Sequence, residues 1–459
     1  MKTAFGVLVV LCSWAPCTSW AALPAGVKDE FQRQMRSKVV EQRVNAVAGM
    51  GVHADAESAR LLFLLALSDD AAEVRQAGRQ ALLKFKESQP IGQRLMDDAK
   101  AELLKGPKGN AGAASEALQI LCEYEPPAIQ TGLLNLLKQR EAASPLPQLL
   151  NKNRPAPQTA VPAMGAMMTA IDRWGAERDV SKVARLERFA KSEYFAARYG
   201  FRRSIVEALI AMHDPAAVSL LIDTLPENTG RTRATVDLYL GRATGEQIGS
   251  DPKAWKVWWQ ANRETAKLAN VGDLNVTTKN GTYYEIPIRT QRVVFLIDTS
   301  DSMRAGEGVT RMEAAKKALI ETLNGLNAQV EFNVLAFHDG VTQWKRSGLL
   351  PANAKNKADA IQFVQKWTAL GKTATYDGLM AAFECDPNLE AIFCVSDGDP
   401  STGRVVDPAA ILEEIRQLNR VRRVSIHSIG VFGGQQYESL ATFMKTLAEQ
   451  NAGEFKRVD

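Results

Sequence analysis

The chain has 459 residues, more than one hydrophobic core normally contains, so two or three domains are expected. Hydrophobic residues make up 46% and charged residues 24%, which is typical of a globular protein and excludes a disordered or fibrous chain. The formal charge is only +4 and no block of Lys and Arg stands out, which gives little support for nucleic-acid binding.

The first 22 residues have the pattern of a secretory signal peptide. Lys2 precedes an apolar stretch, residues 4–11, and the small residues Ala21 and Ala22 offer a cleavage site. An N-terminal membrane anchor is the alternative, but the apolar stretch is shorter than the roughly 20 residues needed to span a bilayer. We therefore expect a soluble, exported protein, periplasmic or extracellular, with no transmembrane segment in the mature chain.

Cysteine usage adds little to this interpretation. After signal cleavage the chain keeps Cys122, Cys385 and Cys394, an odd number that excludes a complete disulfide framework. Pairing of Cys385 with either of the other two stays open.

Residues 28–262 have the pattern of a helical repeat domain, with apolar residues recurring at helical spacing between short Gly, Asp and Pro breaks. Three segments can be laid over one another, with Arg43, Arg75 and Arg202 in register, and the first two start 32 residues apart. They resemble HEAT repeats, whose helical pairs stack into a solenoid with an extended partner-binding surface. A generic helical domain is the alternative.

A tryptophan-rich helix is predicted to close the helical domain. Asp251 and Pro252 form a helix start, and Trp255, Trp258 and Trp259 then fall on one helical face. We expect these rings to pack inward, with a carbohydrate-binding platform as the alternative. Residues 263–290, which contain an Asn-Gly turn, are predicted to be a linker and an extended lead-in.

The periodicity changes at residue 291, where apolar strands begin to alternate with helical patterns. The predicted strands are 292–298, 331–338, 391–396, 424–432 and 454–458, and the predicted helices are 311–326, 355–369, 376–384, 408–420 and 437–450. Such a series predicts an α/β domain over residues 291–459 with a mainly parallel, doubly wound, Rossmann-like sheet.

Oxygen-bearing side chains follow two of these strands. Asp298 ends the first strand, Ser300 and Ser302 lie in the loop after it, and Asp397 follows the strand 391–396. Ligands of open α/β sheets bind at the carboxyl ends of the strands, where Thr373 can reach between the two carboxylates. Asp and Ser are also common in turns, but this set of hard oxygen ligands suits Mg²⁺, Ca²⁺ or Mn²⁺.

The three motifs D-x-S-x-S, G-x-T-x-T-Y-D and S-D-G-D, in this order, resemble those of the von Willebrand factor A domain. The resemblance covers residues 291–459 and implies a metal-ion-dependent adhesion site, in which Asp298, Ser300, Ser302, Thr373 and Asp397 hold the ion. It also implies that Mg²⁺ is the expected ion, with Ca²⁺ or Mn²⁺ as alternatives, and that a Glu or Asp of a protein partner completes the coordination.

One residue departs from the pattern of the family. Asp301 stands where the family has Gly. Either it points to solvent, or it adds negative charge near the ion and weakens the attraction for an acidic ligand.

Two binding functions and an enzymatic function were compared. The favoured prediction is a non-enzymatic, exported protein-binding module that captures an acidic side chain through the metal, on a helical repeat scaffold. The alternative is an envelope assembly or scaffold factor that binds clients through the helical solenoid, with the metal site auxiliary. Motifs for a nucleophile elbow, a zinc protease or a phosphate-binding loop are missing, so no enzyme is expected.

Overall fold

The computed structural model describes residues 23–24, 26–138, 160–272, 274, 280–346, 348–432 and 438–458. The predicted signal peptide, residues 1–22, lies outside this part of the chain. Residue contacts divide the chain into two compact units, Met1–Leu133 and Leu134–Asp459. Within the described ranges, every helix is too short or too polar to cross a bilayer.

The first unit is helical. Its helices are α1 (Val27–Gln34), α2 (Val40–Met50), α3 (Ala56–Leu61, continued by a π-helical turn at Leu62–Ala66), α4 (Ala72–Leu83), α5 (Gln89–Leu104), α6 (Ala111–Leu121) and the start of α7 (Pro127–Lys138). Helix α2 packs on α4 and α5 packs on α6, so the helices bury their apolar faces against one another. Local sequence sets their starts, because Ser88 and Asn110 cap α5 and α6 by accepting hydrogen bonds from backbone amides.

The three arginines that the sequence places in register make the same local contact. Arg43 donates to the carbonyl of Ser37 at 2.8 Å, and Arg75 donates to that of Asp69 at 2.7 Å. Arg202 donates to the carbonyl of Ala196 at 2.8 Å. In each case the acceptor lies six residues earlier in the chain, so the side chain ties its helix to the preceding turn. The HEAT-like assignment itself stays a prediction.

Helices also begin the second unit. They are α8 (Ala160–Ala176), α9 (Val183–Ala190), α10 (Glu193–Ala197), α11 (Tyr199–Met212), α12 (Pro215–Thr224), α13 (Gly230–Thr244) and α14 (Pro252–Asn262). Asp251 caps α14 as its sequence predicts. Trp255 and Trp259 are buried, and their indole N–H groups donate to Gly249 and Ser219 at 2.7 Å. Trp255 and Trp259 therefore pack inward, as expected, whereas Trp258 is only partly buried.

A seven-stranded sheet forms the rest of the second unit. Its strands are β3 (Arg292–Asp298), β4 (Glu331–Phe337), β5 (Val341–Gln343), β6 (Leu350–Pro351), β7 (Ala391–Ser396), β8 (Ser425–Val431) and β9 (Phe455–Val458). The order is β5-β4-β3-β7-β8-β9, with β6 also paired to β4. All pairs are parallel except those of β5 and β6 with β4. The short antiparallel strands were not predicted, because two or three residues carry no periodicity.

Part of the predicted linker has regular structure. Strands β1 (Thr282–Tyr283) and β2 (Ile286–Pro287) form an antiparallel pair. The ring of Tyr283 is fully buried against Phe295 and Phe393 of the main sheet. This hairpin therefore packs onto the sheet.

Helices cover both faces of the main sheet. They are α15 (Arg311–Gly325), α16 (Ala354–Gln365), α17 (Thr375–Glu384), α18 (Pro408–Arg422) and α19 (Glu438–Gln450). Side chains of α15 and α16 pack with Val293 and Phe295 of β3 on one face. Those of α17, α18 and α19 pack with Val294 and Leu296 on the other. This arrangement confirms the predicted fold class, a helical region followed by a doubly wound α/β domain.

At the amino edge of the sheet a buried glutamate joins β7 to the helices before the sheet. Glu390 is fully buried, and its Oε2 accepts hydrogen bonds from the amides of Gln291 at 3.0 Å and Arg231 at 3.3 Å. A Cβ at Gly230 would lie 1.8 Å from Oε1, and Gly230 has φ +56°, so only glycine suits this position. Glu390 therefore sits at the amino end of α13, where the helix dipole favours negative charge.

The three cysteines of the described chain form no disulfide with one another. Cys122, Cys385 and Cys394 are all buried. Neither of the disulfides left open by the sequence is formed.

Candidate metal centre

The two aspartates of the predicted site emerge from neighbouring strands. β3 and β7 pair in parallel, with Val293 opposite Ala391 and Ile297 opposite Val395, so their carboxyl ends coincide. Asp298 and the aspartate directly after β7, Asp397, therefore lie at one edge of the sheet. Both are fully buried, which is unusual for carboxylates and calls for specific compensation.

The loop after β3 connects the two carboxylates through a backbone amide and two hydroxyl groups. The amide of Ser300 donates to Oδ1 of Asp298 at 2.8 Å. The hydroxyl of Ser300 lies 2.9 Å from that of Ser302, which in turn donates to Oδ1 of Asp397 at 2.7 Å. Ser300, Ser302 and Asp397 thus form a chain of side-chain oxygen atoms, and the Ser300 amide joins Asp298 to it.

The fifth predicted ligand, Thr373, reaches the same cluster from the loop before α17. Its amide donates to Ser401 at 3.0 Å, which ties this loop to the one after β7. A Cβ at Gly398 would lie 3.1 Å from both the Thr373 and the Ser302 hydroxyl oxygens. Glycine at position 398 therefore leaves room for the two hydroxyls, and all five predicted residues come together.

The Asp298 carboxylate has only neutral hydrogen-bond donors within the described part of the chain. Burial and the charge of Asp397 together raise the pKa of Asp298 to about 7, against hydrogen bonds from Ser396 and Ser300 that lower it. Among the described residues no Lys, Arg or His forms an ion pair with it. A buried carboxylate compensated only by neutral donors, beside hydroxyl oxygens, fits a hard cation.

The ligand atoms of the candidate site are mostly hydroxyl oxygens, and not the His, Cys, Asp and Glu side chains that most metal sites use. No group of three or more His, Cys, Asp and Glu residues suited to a metal occurs within the described ranges. The cluster around Asp298 contains two carboxylates, and its remaining oxygens belong to Ser and Thr. Such a set suits Mg²⁺ or Ca²⁺ and not a soft metal.

The sequence did not identify two residues that contact the cluster. Ser396, the last residue of β7, donates to Oδ2 of Asp298 at 2.6 Å. Arg311, the first residue of α15, contacts Oδ2 of Asp397 through Nη1 at 2.7 Å. Ser396 belongs to the S-D-G motif, although it was not among the predicted ligands. Nothing in the spacing shows that Arg311 folds back onto Asp397.

Asp301, the departure from the family pattern, faces away from the cluster. Its side chain is 60% exposed and pairs with Arg304 at 3.0 Å. Its amide donates to the carbonyl of Gly371 at 2.9 Å, which holds the loop in place. Asp301 therefore points to solvent, the first of the two expectations.

A separate cleft of about 500 Å³ lies between α8 and α18. Arginines line much of it, but three of them already form ion pairs: Arg423 with Asp172, Arg203 with Glu207 and Arg416 with Glu413. None of the five predicted ligands lines this cleft. The cleft is therefore distinct from the candidate metal centre.

Comparison with protein families supports the resemblance seen in the sequence. Residues 291–456 match the family model of the von Willebrand factor type A domain. Inter-alpha-trypsin inhibitor heavy chain H4 of Homo sapiens is 30% identical over 179 residues, which cover 37% of this chain and 18% of that protein. Heavy chain H6 of Homo sapiens is 31% identical over 186 residues, covering 38% and 13%. The chain thus spans less than a fifth of these two relatives.

Solved structures give similar coverage. A von Willebrand factor type A protein from Catenulispora acidiphila is 21% identical and covers 36% of this chain and 38% of its own, with a TM-score of 0.31. Proximal thread matrix protein 1 from the mussel byssus, with zinc in its MIDAS motif, is 22% identical and covers 36% and 41%, with a TM-score of 0.28. The family match concerns residues 291–456, which are less than half of the chain.

Proposed function

We propose that this chain is a non-enzymatic, exported protein-binding module that captures an acidic side chain of a protein partner through a divalent cation. Asp298, Ser300, Ser302, Thr373 and Asp397 would hold the cation, and the HEAT-like helices of residues 28–262 would serve as the scaffold. The observation that carries the proposal is the gathering of Ser and Thr hydroxyl groups around two buried carboxylates at the carboxyl edge of the sheet.

The charges of the cluster favour an acidic ligand. Asp298 and Asp397 contribute −2 and Arg311 contributes +1, so the protein side of the site carries −1. A divalent cation, Mg²⁺ by preference and Ca²⁺ or Mn²⁺ as alternatives, supplies a net positive charge and an oxygen-accepting position. The hydroxyls of Ser300, Ser302 and Thr373 add ligands without adding negative charge. A partner carboxylate is therefore attracted to the site.

The first test measures cation binding by isothermal titration calorimetry with Mg²⁺. The wild-type chain should bind one ion, and Asp298→Ala should lose at least about 100-fold in affinity, because a buried charged ligand is removed. Asp301→Ala is the matched control, since it removes an exposed acid from the same loop. If the wild type does not bind, or Asp298→Ala binds equally well, the proposal is wrong.

The second test asks whether capture of a partner depends on the cation. Immobilised wild type, Asp298→Ala and Asp301→Ala would be exposed to native envelope extracts in Mg²⁺ or in chelator, followed by mass spectrometry. We expect a protein retained by wild type and Asp301→Ala in Mg²⁺, and lost in chelator and with Asp298→Ala. Neutralising the acidic residues of the captured partner should then abolish its binding.

The alternative function is that of an envelope assembly or scaffold factor whose helical repeats bind the client. The packing of α2 on α4 and of α5 on α6 in the first unit favours it, because stacked helical pairs offer an extended binding surface. Capture that persists at full strength in chelator and with Asp298→Ala would support this function and overturn the first.

Export through a cleaved signal peptide is a separate part of the proposal. Intact mass spectrometry of the protein recovered outside the cytoplasm should show a chain that begins after Ala21 or Ala22. A chain that retains residues 1–22 would contradict cleavage.

A further inference from the structure

The ion pair between Arg311 and Asp397 places a positive charge on a proposed metal ligand. Nη1 of Arg311 lies 2.7 Å from Oδ2 of Asp397, and the arginine side chain is only 13% exposed. The cap of α15 fixes its start, because Thr310 and Glu313 form a reciprocal capping box. The amide of Arg311 also donates to the carbonyl of Ala305 at 2.8 Å. The arginine is therefore held by its backbone as well as by its side chain.

We propose that Arg311 is a positioning residue that limits the affinity of the site for divalent cations and makes it discriminate against Ca²⁺ in favour of Mg²⁺. This inference rests on the proposed function, since it concerns the same cation. It assigns a role to a residue outside the five ligands.

The discrimination follows from the oxygen atoms that Asp397 has left. Oδ2 is occupied by Arg311, and Oδ1 accepts a hydrogen bond from Ser302. Asp397 can therefore offer one oxygen, Oδ1, together with the hydroxyl of Ser302. Mg²⁺ takes six ligands and suits single carboxylate oxygens, whereas Ca²⁺ takes six to eight and often uses both oxygens of a carboxylate. The arginine thus withholds the second oxygen that Ca²⁺ would use.

The effect on affinity follows from charge. With Arg311 the protein side of the site carries −1, and without it the two carboxylates carry −2. Arg311 contacts a carboxylate that is fully buried, where screening by solvent is weak. Its positive charge therefore opposes binding of a second cation on the same carboxylate.

Removing Arg311 would also loosen the orientation of the Asp397 carboxylate, which would weaken cation binding. Arg311 also fixes the rotamer of Asp397, so its removal costs some preorganisation. A glutamine at position 311 keeps an N–H donor while removing the charge, and the Ser302 hydrogen bond to Asp397 remains. One neutral hydrogen bond is worth less than a full buried charge next to a divalent ion, so the charge effect should dominate.

The test is calorimetric titration of Mg²⁺ and Ca²⁺ into the full chain at about pH 8, where the carboxylates of model compounds are ionised. Arg311→Gln should bind Mg²⁺ at least about tenfold more tightly than wild type, and Ca²⁺ should gain more than Mg²⁺. Arg311→Lys keeps the charge and should stay within about threefold of wild type for Mg²⁺. Circular dichroism of each variant checks that it is folded.

Arg304→Gln is the matched control. It removes an arginine from the same loop region, but Arg304 pairs with the exposed Asp301 and donates to the carbonyl of Ala369, away from the ligand carboxylates. Its Mg²⁺ affinity should change by less than about threefold. If Arg304→Gln gained as much Mg²⁺ affinity as Arg311→Gln, only the net charge of the chain near the site would matter. That result would overturn the assignment to Arg311.

The remaining outcomes separate the inference from the proposed function. If the wild type binds Mg²⁺, Asp298→Ala does not, and Arg311→Gln binds no more tightly than wild type, the inference is wrong while the metal site stands. The same holds if Arg311→Lys tightens binding as much as Arg311→Gln, or if the Mg²⁺ to Ca²⁺ ratio is unchanged. If neither wild type nor Asp298→Ala binds a cation, the proposed function itself fails.

Discussion

Fully buried carboxylates lie at opposite edges of the same sheet, and two of them differ in their surroundings. Asp298 lies at the carboxyl edge and Glu390 at the amino edge, and burial raises the pKa of both, to about 7 and about 6. Their surroundings differ. Glu390 accepts hydrogen bonds from two backbone amides and is influenced by the charges of Arg202 and Arg292. Asp298 has Ser396 and Ser300 as donors and a second carboxylate beside it.

This difference shows that burial alone does not identify a functional carboxylate. Fixed groups of the protein, namely a helix amino end and two arginines, supply positive charge beside Glu390, although its Oε1 has no hydrogen-bond partner among the described residues and its charge is only partly balanced. Among the described residues Asp298 has only neutral donors, and the negative charge of Asp397 repels its carboxylate. An incomplete balance of this kind is what a cation can supply, and it separates a binding site from a structural one.

The largest expected effect comes from removing the Glu390 side chain. Glu390→Ala should lower the free energy of unfolding by about 3–5 kcal/mol, because it leaves two backbone amides and the buried Arg202 without their acceptor or counter-charge. Urea unfolding measures this. Glu331→Ala is the control, since Glu331 pairs with Arg292 at the same edge but is 38% exposed, and it should cost less than about 1 kcal/mol. Equal losses would contradict the structural role of Glu390.

The pH dependence of stability gives the next effect. The pKa of Glu390 is raised from 4.5 to about 6 in the folded chain, so the folded state binds this proton more tightly than the unfolded state. Its stabilising contribution is complete below pH 4.5 and is lost as the pH rises through about 6, which amounts to about 2 kcal/mol. Glu390→Gln does not titrate, so its stability relative to wild type should improve by that amount between about pH 4 and pH 7.5. A constant difference between the two proteins would contradict the raised pKa.

Neutralising the incomplete site should have the opposite sign to removing Glu390. In chelator, Asp298→Asn should raise the free energy of unfolding by about 1–2 kcal/mol, because it removes a buried charge that has no cationic partner. In Mg²⁺ the wild type should regain stability in proportion to the ion bound, while the variant should not respond. Thermal unfolding in both buffers measures this. If Asp298→Asn were less stable than wild type in chelator, Asp298 would be a structural carboxylate like Glu390. The difference between the two residues would then be wrong.

The two buried sites also differ in how well the sequence predicts them. The strands ending in Asp298 and Asp397 were predictable because buried parallel strands are continuous apolar runs that end at the ligand-binding edge. Thr373 was predictable from its loop motif. Glu390 was not, because a single acid before a strand has no pattern that distinguishes it from a surface residue. Arg311 was not, because its contact depends on how the loop before α15 folds back.

The smallest expected effect concerns Asp301. Its carboxylate is 60% exposed and neutralised by Arg304 at 3.0 Å, so its field at the metal centre should be weak and screened by salt. Asp301→Asn should therefore weaken Mg²⁺ binding by less than about threefold at physiological ionic strength. Asp301→Gly, which restores the family pattern, should behave alike. Calorimetric titrations at low and physiological salt would show whether any difference fades with screening. A tenfold loss that persists in salt would mean that Asp301 acts on the cation directly, and that the incomplete charge balance at Asp298 is shared with this loop.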